Sequence, residues 1–115
     1  MIVDDEPDHV AMLATILRQR GHAVESATNP LYALTLAATF SPEVIFLDLG
    51  LPYMDGHEAG RRFKRRFTGA RVYAITGRAD DEARQKSAQA GFDGHLVKPL
   101  DIAAIEALLA GASPA

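Results

Sequence analysis

Apolar residues along this chain fall into short blocks with two different spacings, divided by Gly, Pro, Asp and Asn. Val44-Ile45-Phe46-Leu47 is an unbroken apolar run that stops at Asp48, and Arg71-Val72-Tyr73-Ala74-Ile75-Thr76 encloses a second between Arg71 and Thr76. Short continuous runs closed by turn residues predict strands buried on both faces. Ile2-Val3 and His95-Leu96-Val97 are shorter blocks of the same kind, and the alternation over 22–27 predicts a more exposed strand. Helical spacing fills the intervals. Val10, Leu13, Ile16 and Leu17 form an apolar stripe that stops at Gly21. Asn29-Pro30, a capping side chain followed by Pro in the first turn, opens a second helix that runs to about Phe40. A third follows Asp55-Gly56 and ends near Phe67 or Gly69. A fourth, over about 80–90, is rich in Ala, Gln and charge and is therefore weakly anchored. The last covers 101–110, with Ile102, Ile105, Leu108 and Leu109 predicted to face inward.

Strands alternating with helices predict an α/β domain built on a parallel sheet with helices on both faces. Right-handed crossovers at this size lead to a flavodoxin-like, doubly wound, five-stranded sheet in the order 2-1-3-4-5. Strands 1 and 3 are then neighbours at the switch point, where open parallel sheets hold their ligands. The 115 residues suit one domain, residues 1–115, with strand 1 read as trimmed at its N-terminus and 111–115 as a tail or linker.

Composition narrows the class. An apolar fraction of 48% and a mean hydropathy near zero describe a soluble globular chain. A net charge of −3 argues against a general nucleic-acid binder. There is no cysteine, hence no disulfide or thiolate metal site, and no apolar run long enough to cross a bilayer. No signal peptide is recognised. A cytoplasmic location is expected.

The predicted topology changes the meaning of the acidic residues. Asp4 and Asp5 end strand 1 and Asp48 ends strand 3, so all of them converge on one edge. Clustered carboxylates repel. A hard divalent cation removes the problem, and Mg²⁺ takes carboxylates, waters and phosphate oxygens. Asp48, at the centre, is a candidate nucleophile, since carboxylates form aspartyl-phosphates. Lys98 follows strand 5 on the same edge and is the candidate cation for phosphoryl transfer; a cis peptide to Pro99 is one way to aim it inward. Thr76 ends strand 4 there, with Gly77 leaving space beside it. Taken singly, each has a plainer reading. Asp4, Asp5 or Asp8 would be a helix cap or a loop charge, Asp55-Gly56 a turn, and Lys98 a surface lysine. The basic residues Arg61, Arg62, Lys64, Arg65 and Arg66 read as a solvated helix face, with a docking surface for an acidic partner as the alternative.

Val3-Asp4-Asp5-Glu6-Pro7, Asp48-Leu49-Gly50-Leu51-Pro52-Tyr53-Met54-Asp55-Gly56, Thr76-Gly77 and Lys98-Pro99 together resemble the receiver domains of two-component response regulators, and the chemotaxis receiver in particular. The resemblance implies that Asp48 accepts a phosphoryl group from a histidine kinase or histidine phosphotransfer protein. It implies Mg²⁺ held by Asp5, Asp48 and the Gly50 carbonyl, with Asp4 acting through metal-bound water. Lys98 would pair with the carboxylate or phosphoryl oxygen, and Thr76 would be the switch hydroxyl. His95 stands at the family's switch-aromatic position, where Tyr or Phe is usual; imidazole is polar and titrates near neutral pH. Gly50 leaves attacking water unobstructed, so a labile phosphoryl-Asp48 is expected. The reader face would be the fourth helix, strand 5 and the last helix, a homodimer being one option. Such a domain is not an enzyme beyond its own phosphorylation and dephosphorylation. Residues 91–101 resemble receivers attached to hybrid histidine kinases; a stand-alone regulator is the alternative.

Other classes fit less well. A phosphohydrolase of the haloacid dehalogenase type would need an Asp where Gly50 stands. A flavodoxin-type electron carrier would need a Ser/Thr/Gly phosphate loop where Asp4-Asp5-Glu6 stand. A receiver-fold interaction module that is never phosphorylated is the remaining alternative.

Overall fold

The computed structural model describes residues 1–77 and 80–112. Its elements are β1 (Ile2–Val3), α1 (Pro7–Gln19), β2 (Ser26–Ala27), α2 (Pro30–Phe40), β3 (Val44–Asp48), α3 (Gly56–Arg66), β4 (Arg71–Thr76), α4 (Asp81–Gln89), β5 (Gly94–Val97) and α5 (Ile102–Ala112). The strands form one parallel sheet in the order β2-β1-β3-β4-β5, the expected flavodoxin-like topology. Of the expected tail at 111–115, residues 111 and 112 continue α5, and 113–115 lie outside the described residues.

Alternation along the strands divides the core in two, because successive side chains point to opposite faces. Ile45, Leu47 and Val72 pack with Ala33, Ala37 and Phe63 of α2 and α3. Phe46, Tyr73 and Ile75 pack with Leu13, Leu17, Ile105 and Leu109 of α1 and α5. Ile45, Phe46 and Leu47 are wholly buried, which explains why β3 reads as a continuous apolar run rather than an alternating one.

The helix starts follow local chemistry. Asn29 accepts from the Leu31 amide at 2.8 Å with Pro30 in the first turn, and Asp80 accepts from the Ala83 amide at 2.8 Å. Asp55 caps α3 more loosely, at 3.3 Å from the His57 amide. Gly56 lies so close to Leu49 that a Cβ there would meet its Cα at 2.7 Å. A glycine at this position thus lets α3 start directly against the loop after β3.

Two expectations need correction. The second strand, expected over 22–27, is only Ser26–Ala27. Its one neighbour is β1, itself two residues long, so residues 22–25 have little strand to pair with. Ile102, expected to face inward, is 52% exposed, whereas Ile105 and Leu109 are buried. It opens the first turn of α5, where side chains tilt back toward the helix N-terminus and here miss the core.

Lys64 also departs from the simple basic face. Its ammonium donates to the Ala70 carbonyl at 3.1 Å and to Asp93 at 3.0 Å. Arg61 and Arg62 only reach Glu58 across the helix surface, at 3.4 and 3.3 Å. Asp93 extends the sheet by one step. Its amide donates to the Val72 carbonyl and its carboxylate accepts from the Val72 amide, both at 2.8 Å, just before β5 begins at Gly94.

Removing that acceptor leaves the amide of a fully buried residue unpaired. Asp93→Ala is expected to cost about 2 kcal/mol in urea unfolding. Asp93→Asn, which keeps an acceptor, should cost clearly less. Equal losses would show that the ion pair with Lys64, rather than the amide, carries the effect.

Candidate functional site

Asp48 is the last residue of β3 and only 4% exposed. Both of its oxygens are engaged. Oδ1 accepts from the Gly50 amide at 2.8 Å, and Oδ2 accepts from the Lys98 ammonium at 3.1 Å. The Lys98 amide donates to the Thr76 carbonyl at 2.8 Å, which ties it to the end of β4; its peptide bond to Pro99 is cis. Thr76 ends β4 and borders the same cleft as Asp48.

Asp4 follows β1 and is 1% exposed. Its amide donates to the Ala27 carbonyl at 3.0 Å, which holds it in the line of the sheet. Its Oδ1 accepts from the Glu6 amide at 3.0 Å, and its Oδ2 lies 2.9 Å from His9 Nδ1. Asp5 beside it is exposed. One oxygen from each of Asp4, Asp5 and Asp48 can be chosen so that all lie within 4.8 Å of one another.

The charges do not balance within this cluster. Burial pushes the Asp4 carboxyl above the usual carboxylate range; the Glu6 amide and His9 pull it down, and the Asp48 charge adds to the rise. Burial pulls Lys98 down, but its bond to Asp48 and the charges of Asp48, Asp4 and Glu6 outweigh that and hold the ammonium above its ordinary value. A buried carboxylate whose ionised form is disfavoured, in an all-oxygen set, fits a hard divalent cation such as Mg²⁺. The Asp4, Asp5 and Asp48 side chains could hold one.

On the other side of Asp48 lies a cleft of about 300 Å³, lined among others by Gly50, His57, Thr76, Lys86 and Lys98. The Asp48 carboxylate therefore sits between an acidic flank and a basic one. A Cβ at Gly50 would come within 3.3 Å of Asp48 Oδ1, so the missing side chain keeps that approach open.

The edge gathers Asp4, Asp5, Asp48, Gly50, Thr76 and Lys98, as the topology predicted. His95 sits elsewhere: it is half-buried within β5, in register with Ala74, and its Nδ1 is buried without a hydrogen-bond partner among the described residues. Sequence reasoning missed three residues here. His9 reaches Asp4 because first-turn side chains of α1 lean back toward the strand end. His57 stacks edge-on against Phe92, with ring centres 6.0 Å apart, and its Nε2 is buried with no hydrogen-bond partner among the described residues. Lys86 shares a face of α4 with Ala83, three residues before it, and that face lines the cleft. The helical spacing of Lys86 from Ala83 was readable; the direction of the face was not.

The sequence model described as "Response regulator receiver domain" matches residues 1–110. The chain is 35% identical over 103 residues to an uncharacterised 14.6 kDa protein of Leptolyngbya boryana, covering 88% of this chain and 79% of that one. It is 31% identical over 102 residues to the regulatory protein AtoC of Escherichia coli, covering 89% of this chain but only 22% of that protein. Among solved structures it is similar to the chemotaxis response regulator CheY4 of Vibrio cholerae, with a TM-score of 0.88, 25% identity and coverage of 97% and 95%.

The Asp4 shift has a consequence in metal-free buffer. A carboxyl whose pKa is raised in the fold binds its proton more tightly there than in the unfolded chain. Its ionisation therefore costs stability at neutral pH, and the cost fades as pH falls through the folded value toward 3.8. Urea unfolding in EDTA should find Asp4→Asn more stable than the parent at pH 7, with the advantage shrinking on acidification toward pH 4.5. A constant difference across that range would refute the assignment.

Proposed function

The chain belongs to the response regulator receiver domain family of two-component signalling, and on that premise we propose that Asp48 accepts a phosphoryl group from a histidine kinase or histidine phosphotransfer domain, in a Mg²⁺-dependent reaction. One observation carries the reading: a buried carboxylate at the end of the central strand stands between a cluster of acidic oxygens and the Lys98 ammonium at 3.1 Å.

In the transfer, an Asp48 oxygen attacks phosphorus, and the phosphorus–nitrogen bond of the donor histidine breaks with its electron pair returning to the imidazole. Phosphoryl transfer asks the protein for positioning and charge neutralisation more than for covalent chemistry. The Gly50 amide fixes the carboxylate, and Lys98 neutralises charge as it builds on the phosphoryl oxygens. Asp5, Asp48 and the Gly50 carbonyl would hold Mg²⁺, with Asp4 acting through a bound water. When bound, the ion supplies charge neutralisation between the carboxylates and the phosphoryl oxygens.

Phosphorylation places about 1.5 to 2 negative charges on the phosphoryl oxygens, in place of the single charge of the Asp48 carboxylate. Thr76 and Lys98 would turn to the new oxygens and shift the two-state balance of the α4–β5–α5 face, with His95 as the switch residue. Two features favour that face as the surface a downstream protein or domain reads. Ser87 is the one side chain buried within α4 among the described residues, so the helix is weakly anchored. Val97 and Ile102 expose apolar side chains on β5 and α5. The domain would work in the cytoplasm as a signalling module, catalysing only its own phosphorylation and dephosphorylation. No described helix is long and apolar enough to cross a membrane.

Incubation with acetyl phosphate, with and without Mg²⁺, tests the proposal by intact mass. We expect a Mg²⁺-dependent gain of one phosphoryl group that Asp48→Asn abolishes. A folded protein that binds Mg²⁺ and gains nothing would instead support an interaction module that is not phosphorylated. The phosphorylated form should also be short-lived. Gly50→Asn is expected to lengthen its lifetime about fivefold, roughly 1 kcal/mol of barrier, by placing atoms beside Asp48 Oδ1. An unchanged lifetime would mean that water reaches phosphorus by another path.

A further inference from the structure

Resting on the phosphoacceptor reading, we propose that Lys86 is a positioning residue for small acyl-phosphate donors, holding the carboxylate that leaves as Asp48 takes the phosphoryl group. Three observations converge on it. The cleft beside Asp48 is about 300 Å³, several times the room of a single water at about 30 Å³, so it can take more than the transferred group. Its ionic lining is one-sided: apart from Asp48 itself it presents the cations Lys86 and Lys98, whereas Asp4 and Asp5 lie outside it. Lys98 is already bound to Asp48, while Lys86 makes no ion pair among the described residues and projects from α4, a separate wall.

The chemistry of the transfer gives that second cation a task. The attacking oxygen and the leaving atom lie roughly in line through phosphorus. With Asp48 at the buried end, the leaving group points to the outer part of the cleft, where the exposed Lys86 stands. For an acyl phosphate, the bond from phosphorus to the acyl oxygen breaks, its electron pair stays on that oxygen, and a carboxylate anion departs. An ammonium beside it stabilises the charge as it develops. A donor that releases a neutral amine, such as phosphoramidate or a phosphorylated histidine, develops no such anion and gains nothing from Lys86.

The pair of donors makes the test. Rates of Mg²⁺-dependent phosphorylation by acetyl phosphate and by phosphoramidate would be measured on the parent, Lys86→Gln and Lys86→Glu; the chain has no Trp, so intact mass is the readout. We expect Lys86→Gln to slow acetyl phosphate about fivefold, the scale of one exposed ion contact, and Lys86→Glu to slow it further. Phosphoramidate should react at an unchanged rate with both variants. Equal slowing with both donors would assign Lys86 to the phosphoryl group or to general steering, and unchanged acetyl phosphate rates would exclude any role; either result overturns the proposal. A parent protein that reacts with neither donor would refute the phosphoacceptor reading itself, and this proposal with it.

Discussion

Burying a carboxylate at the end of a hydrophobic strand is costly unless every oxygen has a partner, and the site is organised around meeting that demand at Asp48. One oxygen is bound by the Gly50 amide two residues on, the other by an ammonium fifty residues away. The local bond comes with the loop. The distant one requires β5 to lie two strands from β3 in the sheet, so the pairing of Asp48 with Lys98 depends on the parallel topology. The same carboxylate then faces two environments of opposite sign. Acidic oxygens on one flank suit a hard cation, and lysines on the other suit an anion arriving from solvent.

Burial, with the Asp48 charge adding to it, holds the Asp4 carboxyl above the usual carboxylate range, so its ionised form carries a cost in the protein alone. Natural sequences break the rules of local consistency mainly at functional sites, and here the break is a matter of charge rather than of packing. The core behaves ordinarily: β3 is wholly buried at its centre, and the two clusters on either face of the sheet are apolar. The tension sits at the one edge where Asp4, Asp5 and Asp48 meet.

How much of this was legible follows from what each feature depends on. The β3 run, the Asn29-Pro30 helix start and the parallel order could be read because they depend on residues close in sequence or on simple topology. From them the meeting of Asp4, Asp5, Asp48, Thr76 and Lys98 follows directly. The length of β2 could not be read, because it is set by its neighbour: an alternating pattern over 22–27 makes a strand only as far as β1 extends. Ile102 had the right spacing and the wrong surroundings. His9 and Lys86 enter through side-chain direction at helix ends and faces, which spacing alone does not orient. His95 was recognised by position, yet its buried Nδ1, without a hydrogen-bond partner among the described residues, is a property of packing.

The brevity of β2 bears on how copies of this chain behave toward one another. Edge strands are templates for foreign strands in proportion to the run of unpaired backbone they present, and proteins usually blunt them with charges, bulges or a covering element. Here one border of the sheet is two residues long. A run that short offers an intruding strand almost no ladder to build on. Along its described length that border presents few unpaired backbone groups to a second strand.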